Sequence, residues 1–505
     1  MVAVLLLSSS LAAQTSPDTN ARTRSLSLEE CIRLALRHNL SLRVERYSPQ
    51  IVRLGVESSY SYYDPVFKMH AEESYARTPG LFNPRRNLTV PPIETSRDVF
   101  DSTLSGHTPT GMKYELFTTV NKTTGTFTPF FAQGRFIALD LRPEYGTAVG
   151  VAVTQPLLRD FWIDAERTQI KVTKRDLRIS ELAFQGQVLD LVRKVQEIYY
   201  DLILARQSVM VQKSALELAQ RFLDENRDRF KIGVVSALDE KQAEAQMAGV
   251  RTDLLSAQNQ LSLTENLLKN LITDDFRSWQ DVLIEPSEKL IAIPESFNLA
   301  ESWQHGLDLR PDFKELQEEL EKQNIILRFR KNQLFPTLDL VASAALSGLE
   351  TNFSSSIAQI RDADNPRWAG GVVFSIPLTF RSERNNYKAA HAAKSQALFR
   401  LKKLEQDILV QINNAVELAQ RNYGRVDSAR EAREFAEAAW EAEQQKLEKG
   451  KSTTFFVLEL QNKLTKARSM EIQVIAEYNK SLTELYFLEG TILDHNRIDF
   501  MYLEK

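Results

Sequence analysis

A single thiol, Cys31, is all that the 505-residue chain carries. It sits in an apolar-periodic stretch with no second cysteine to pair with. Disulfides, CxxC redox chemistry and thiolate zinc sites are therefore excluded, and Cys31 is read as a small buried residue. An excess of either charge is also lacking: 63 Lys and Arg stand against 67 Asp and Glu, a net of −4. That balance offers no basic patch for nucleic acid. Beyond the N-terminus no apolar run reaches the roughly 18 residues that a membrane-spanning helix needs, so the chain crosses a bilayer only as a closed barrel. The histidines at 38, 70, 107, 305, 391 and 495 have no metal-binding spacing. HExxH, GxSxG, GxGxxG and P-loop motifs are all missing. The chain is accordingly read as a non-enzyme with no cofactor and no metal.

Proline and glycine are scarce where they would matter most. From Trp162 to Ile232 there is no proline and one glycine, Gly186. Val188, Val192, Val195, Tyr199, Leu202, Val209 and Leu216 form a heptad-like series there, with a second stripe at Leu191, Ile198 and Ala205. A helix of this length spans about 100 Å, which no compact globule needs. Two apolar stripes predict packing on two sides, as in a ring of helices. The helix ends at Gly233, and Ser236 followed by Asp239 has the spacing of a capping box that starts the next helix.

The same plan returns. Gly450 stands 217 residues after Gly233, following a helical stretch whose only glycine is Gly424. After the turns, Leu254, Ala257, Leu261, Thr264, Leu268 and Leu271 are echoed by Glu471, Val474, Tyr478, Ser481, Leu485 and Leu488. Leu28, Leu36 and Pro65 match Leu299, Leu307 and Pro336 at an offset of 271, and Pro156 matches Pro377 at 221. The chain is thus an internal duplication, with about fifty extra residues in the first half. Those residues lie between 66 and 158 and are left unplaced.

In order, residues 1–13 (MVAVLLLSSSLAA) read as a secretory signal, with Ser10-Leu11-Ala12 at the cleavage point. The first repeat runs over 25–272: helix from Ser25 to Tyr63, broken near His38-Asn39; strands over 66–158 including the insertion; a long helix over 162–232; a turn; and a helix over 236–272. A linker over 273–297, containing Pro286 and Pro294, leads to the second repeat over 298–495. That repeat holds a helix, strands over 335–380, a long helix over 382–449 and a helix over 453–490. Alternation is cleanest at Val149, Val151 and Val153, and again at Leu338 to Ala344 and at Val372, Phe374 and Ile376. Aromatics Tyr60, Tyr62, Tyr63, Phe67, Tyr145, Phe161 and Trp162 flank the strands, where a barrel carries its interfacial girdle and a core carries its packing.

With strands at one end of the helices and turns at the other, the sequence resembles the TolC-like outer membrane efflux proteins (outer membrane factors). The residues that carry the resemblance are SLEECIRLALRHNLSL, the strand exits VGVAVTQPLL and GVVFSIPLTF, and the turns KIGVVSALDEKQAEAQ and EKGKSTTFFVLELQNK. It implies a mainly α fold with β: duplicated long-helix coiled-coil hairpins forming a periplasmic α-barrel, plus strands of a trimeric transmembrane β-barrel. In such a homotrimer each chain gives four strands to a twelve-stranded barrel in outer membrane lipid. The implied function is conduction of small molecules or polypeptides out of the periplasm, as the exit duct of a tripartite efflux or type I secretion system. The implied partners are a periplasmic adaptor and an inner membrane transporter.

The resemblance places the periplasmic tip and adaptor contact at Gly233, Val234, Ser236, Gly450, Lys451 and Thr453. It places an aperture at Glu459, with Phe456 and Asp239 as further candidates. Three copies of Glu459 about one axis would repel one another and attract cations. The plainer readings are a solvated acid in the first turns of a helix for Glu459, ordinary packing for Phe456 and the capping box for Asp239. Arg361-Asp362-Ala363-Asp364-Asn365 is read as an exposed turn. The alternative class is a soluble or peripheral coiled-coil scaffold, which leaves the signal and the strands unexplained.

Overall fold

The computed structural model describes residues 22–80, 82–84, 88–89, 91–132, 135–232 and 236–498. The expected signal, 1–13, lies outside these residues. In chain order the first half holds β1 (Arg22–Leu26), α1 (Leu28–His38), α2 (Leu40–Glu45), α3 (Tyr47–Ser59), β2 (Val66–Thr78), β3 (Phe82–Asn83), β4 (Leu88–Thr89), β5 (Ile93–His107), β6 (Lys113–Ala132), β7 (Arg135–Pro156), α4 (Ala165–Lys231) and α5 (Ala237–Ile272). Then come β8 (Val282–Pro286), α6 (Leu299–Leu309), α7 (Pro311–Asn332), β9 (Thr337–Glu350), α8 (Phe353–Arg361), β10 (Pro366–Ser375), α9 (Arg381–Glu448), α10 (Thr454–Glu489) and α11 (Ile492–His495).

The duplication appears in the element bounds. Helices α1 and α6 each have 11 residues, starting at Leu28 and Leu299, and α5 and α10 each have 36, starting at Ala237 and Thr454. The long helices α4 and α9 have 67 and 68. Two compact units partition these elements. One holds the residues up to Ser48, Leu182–Lys314 and those from Lys402 on; the other holds Pro49–Glu181 and Glu315–Leu401.

In the first unit the core forms where α1, the middle of α4 and the end of α5 turn their apolar stripes together. Cys31, Ile32, Val188, Val192, Val195, Tyr199, Leu202 and Leu268 are all fully buried there. Ser27 opens α1 with a capping box closed by Glu30. Asn39, expected near a turn, ends α1 and caps α2 by accepting from the Leu42 N–H at 2.9 Å, while its amide donates to the Leu271 carbonyl.

Two expectations need correction. Ser25 and Leu26 are strand, and the helix is three helices plus a 3₁₀ turn over Tyr60–Tyr63. Residues 273–297 are more than a linker, since β8 pairs in parallel with β1 across the chain. Ile284 of β8 is fully buried and its N–H donates to the Glu265 carboxylate. The Tyr199 hydroxyl donates to the Leu26 carbonyl at 3.0 Å, tying α4 to this two-stranded sheet. Tyr199→Phe is expected to cost about 1 kcal/mol, read as a lowered urea midpoint. An unchanged midpoint would show that the carbonyl loses nothing without the phenol.

The second unit carries one six-stranded antiparallel sheet in the order β10-β9-β7-β6-β5-β2. The expectation of four strands per chain is therefore corrected to six, with β2, β5, β6 and β7 all lying in the 66–158 stretch that holds the extra residues of the first half. One cross-strand row runs Phe67, Leu104, Leu116, Val151, Ala344, Trp368, and every member is exposed. One residue along, the opposite face reads Lys68, Thr103, Phe117, Gly150, Ala345, Arg367. Phe117 aside, these rows are apolar on one side of the sheet and small or polar on the other, the alternation of a barrel wall between lipid and water. On the apolar side the row Glu73, Asp98, Lys122, Tyr145, Glu350 ends the band, with Lys122 and Asp98 paired at 3.1 Å.

The sheet is anchored where α4 begins. Asp164 accepts from the backbone N–H of Arg167 at 2.6 Å and pairs with its guanidinium at 2.8 Å. The same guanidinium donates to the carbonyls of Pro109, Asp160 and Phe161. Pro109 lies in the turn between β5 and β6, where Gly111 has φ +84° and a Cβ would come within 3.1 Å of the Asp160 carbonyl oxygen. The Tyr62 ring stacks on His107 at 4.1 Å. The turn between β5 and β6 is thus locked to the start of α4.

Candidate functional site

The turns that end the two helical hairpins lie in the first unit. Gly233 and Val234 fall outside the described residues. Beyond them Ser236 opens α5, and the capping box that its spacing predicts is formed. The Asp239 N–H donates to Ser236 Oγ at 3.3 Å, and the Ser236 N–H donates to Asp239 Oδ2 at 3.0 Å. Arg227, near the end of α4, reaches Glu244 at 3.0 Å and Glu240 at 3.5 Å, which fastens the two helices of this hairpin. Bonds from Lys241 and then Arg227 hold the Glu244 carboxyl below its usual range.

The second turn is built differently. Gly450 adopts φ +68° and ends α9 in a Schellman arrangement: its N–H donates to the Leu447 carbonyl, and the Lys451 N–H donates to that of Lys446 at 2.8 Å. A left-handed residue is what this closure requires, so glycine is the least strained occupant. Thr453 is the N-cap of α10, and its side chain makes no capping bond. Ser452 donates to Glu443, which also pairs with Lys446 at 2.8 Å; Lys446 and then Ser452 hold Glu443 below the usual carboxylate range.

Glu459 is 44% exposed and pairs with Lys463 one turn on at 2.7 Å. Phe456 is 52% exposed beside Phe455, their ring centroids 5.7 Å apart. Phe456 is thus not packed inside its own chain, because its position faces away from the buried stripe of Thr454, Val457, Leu458 and Gln461.

Sequence reasoning missed the polar contacts beneath these turns. Thr454 Oγ1 donates to Asn226 Oδ1 at 3.4 Å, and both residues are buried, so α10 begins docked on α4. Gln246 and Asn462, near-equivalents in the two repeats, exchange a reciprocal pair of amide hydrogen bonds that joins α5 to α10. Gln461 is 2% exposed, and its side-chain Nε2 meets no acceptor among the described residues. Amide and hydroxyl residues at apolar-stripe positions were the available signal, but their partners lie more than 200 residues away.

Among the described residues no group of three or more His, Cys, Asp or Glu side chains is placed to hold a metal ion. No helix among them is long and apolar enough to cross a membrane. Within 361–365, Asp362 pairs with Arg361 at 2.9 Å and Ala363 adopts φ +57°.

An open sheet with a lipid-type face, joined in sequence to duplicated long helices, defines a class of membrane channel. Residues 143–273 and 304–491, more than half of the chain, match the family described as outer membrane efflux protein, and the chain belongs to that family. It is an outer membrane protein. It is similar to outer membrane protein TolC of Escherichia coli K12, 24% identical over 206 residues. That alignment spans about two fifths of each protein, 40% of this chain and 41% of TolC. The fold resembles the Campylobacter jejuni CmeC outer membrane channel, with TM-score 0.65, 16% identity, and 94% and 90% of the two chains covered. It also resembles the Vibrio cholerae outer membrane protein VceC, with TM-score 0.65, 15% identity, and 92% and 96% covered.

Proposed function

We propose that this chain is the outer membrane exit duct of a tripartite efflux or type I secretion assembly, conducting its cargo without chemistry on it. The observation that carries the reading is the apolar row that crosses the whole sheet while both sheet edges stay unpaired among the described residues of one chain. Bare edges are costly in lipid, where no water replaces the missing hydrogen bonds. Three copies close them, which gives the homotrimer its physical reason. A soluble or peripheral scaffold has no use for such a face.

In this reading Ser236, Gly450, Lys451 and Thr453, with Gly233 and Val234, meet a periplasmic adaptor that couples the duct to an inner membrane transporter. Phe456 and Glu459, both exposed, line the aperture, and Asp239 serves first to cap α5. The test is purification from outer membranes, followed by gel analysis with and without heating and by conductance in planar bilayers. A heat-sensitive trimer that conducts supports the duct; a soluble dimer that does not insert defeats it.

Glu459→Ala is expected to lower the cation preference of single channels, since three acids are lost while three Lys463 ammonium groups lose their partners. Reversal potentials in a salt gradient measure this. Unchanged selectivity removes Glu459 from the aperture.

A further inference from the structure

We infer that the barrel closed by copies of this chain has eighteen strands, with β2 of each copy paired to β10 of the next. The inference rests on the trimeric duct reading and goes beyond it in strand number, junction and width. Four strands per chain would give twelve, whereas one chain here presents six in a single continuous sheet.

Three observations make the additional strands part of the wall. First, each strand pairs with the next from β2 through β5 and β6 to β7, with Val66 to Thr78 in register against Ser105 to Ile93 and two register shifts on the outer part of the β6–β7 ladder. Second, the apolar row reaches both edges, at Phe67 on β2 and Trp368 on β10. A closure at those edges joins apolar face to apolar face without interruption. Third, the turn between β5 and β6 is held by the Arg167 guanidinium through the Pro109 carbonyl at 2.9 Å. A hairpin folded away from the sheet would forfeit that bond.

The direction of the edges agrees. All five strand junctions are antiparallel, so in a sheet of six the first and last strands run opposite ways. Placing β2 of one copy beside β10 of another therefore continues the antiparallel ladder. The family match begins at residue 143, inside β7, so β2, β5 and β6 all precede it. Barrel diameter grows roughly linearly with strand number, so eighteen strands make a lumen about half as wide again as twelve. Barrels of that strand number leave an aqueous channel.

Cysteine cross-linking tests the junction in a Cys31→Ala background. Lys68→Cys or His70→Cys on β2 is combined with Gly371→Cys or Val373→Cys on β10, all on the polar face. Within one sheet these strands are five spacings apart, roughly 24 Å, too far for a disulfide inside one chain. Glu115→Cys or Thr119→Cys on β6, each combined with the same β10 positions, tests closure by four strands.

Oxidation of the β2–β10 pairs is expected to convert the monomer band of boiled samples into covalent dimer and trimer, reversed by reductant. Cross-links from β6, or none from either set, overturn the eighteen-stranded barrel. The native mass measured before oxidation separates the two readings. A protein that is not a trimer fails the duct itself, while a trimer without β2–β10 links fails only the strand count.

Discussion

Arg167→Ala is expected to destabilise the sheet-bearing unit by about 3–5 kcal/mol, the range for breaking one partner out of a buried ion pair. The side chains of Arg167 and Asp164 are 12% and 13% exposed, so neither is solvated enough to tolerate the loss of the other. Truncation leaves the Asp164 carboxylate with the backbone N–H of residue 167 and strips donors from the carbonyls of Pro109, Asp160 and Phe161. Arg167→Lys restores the charge but presents a point donor in place of a planar fork, so an intermediate loss is expected. The double variant Arg167→Ala with Asp164→Asn removes the stranded charge and is expected to be less damaged than Arg167→Ala alone. Urea midpoints of the four proteins measure these losses. A loss below about 1 kcal/mol for Arg167→Ala would place the clamp among ordinary surface pairs.

Gln461→Leu is expected to act in the opposite direction, raising stability by about 1–3 kcal/mol, the cost of a buried polar group left without a partner. Gln461 lies in the apolar stripe of α10 between Leu458 and Leu464, both buried. Leucine fills similar volume and requires no acceptor. Natural proteins keep such unfavourable groups where function needs a segment to rearrange. In the duct reading, the same substitution is therefore expected to reduce the fraction of time single channels spend open. Higher stability with unchanged gating would confine Gln461 to packing, and a lower urea midpoint would show that its amide is bonded after all.

Much of the helical architecture is legible in the sequence because helix signals are local. The offset of 271 between Leu28 and Leu299 and that of 217 between Gly233 and Gly450 come from stripe periodicity and breakers. The bounds of α1 and α6, and of α5 and α10, keep the same offsets to the residue. Ser236 and Asp239 are three apart, so their capping box needs nothing beyond the first turn of one helix. The strands were harder. Only β7, β9 and β10 alternate cleanly, whereas β5 and β6 mix threonine, lysine, aspartate and aromatics on both faces. Composition alone did not separate them from loop.

The candidate site divides in the same way. Glycine φ, caps and the acid at 459 were visible as residue types at fixed spacings. The exposure of Phe456, the Lys463 partner of Glu459 and the docking of Thr454 on Asn226 were not, because each depends on which helix face another element covers.

By itself the sequence determined the duplication, the long helices and their turns, since periods of 3.6 residues and cap chemistry act over one or two turns of chain. Only the tertiary structure decided that β1 pairs with β8, that six strands share one sheet, and that Gln246 meets Asn462. Those contacts join residues far apart in the chain, and they form because unpaired backbone and amide groups must find partners once apolar faces have closed around them.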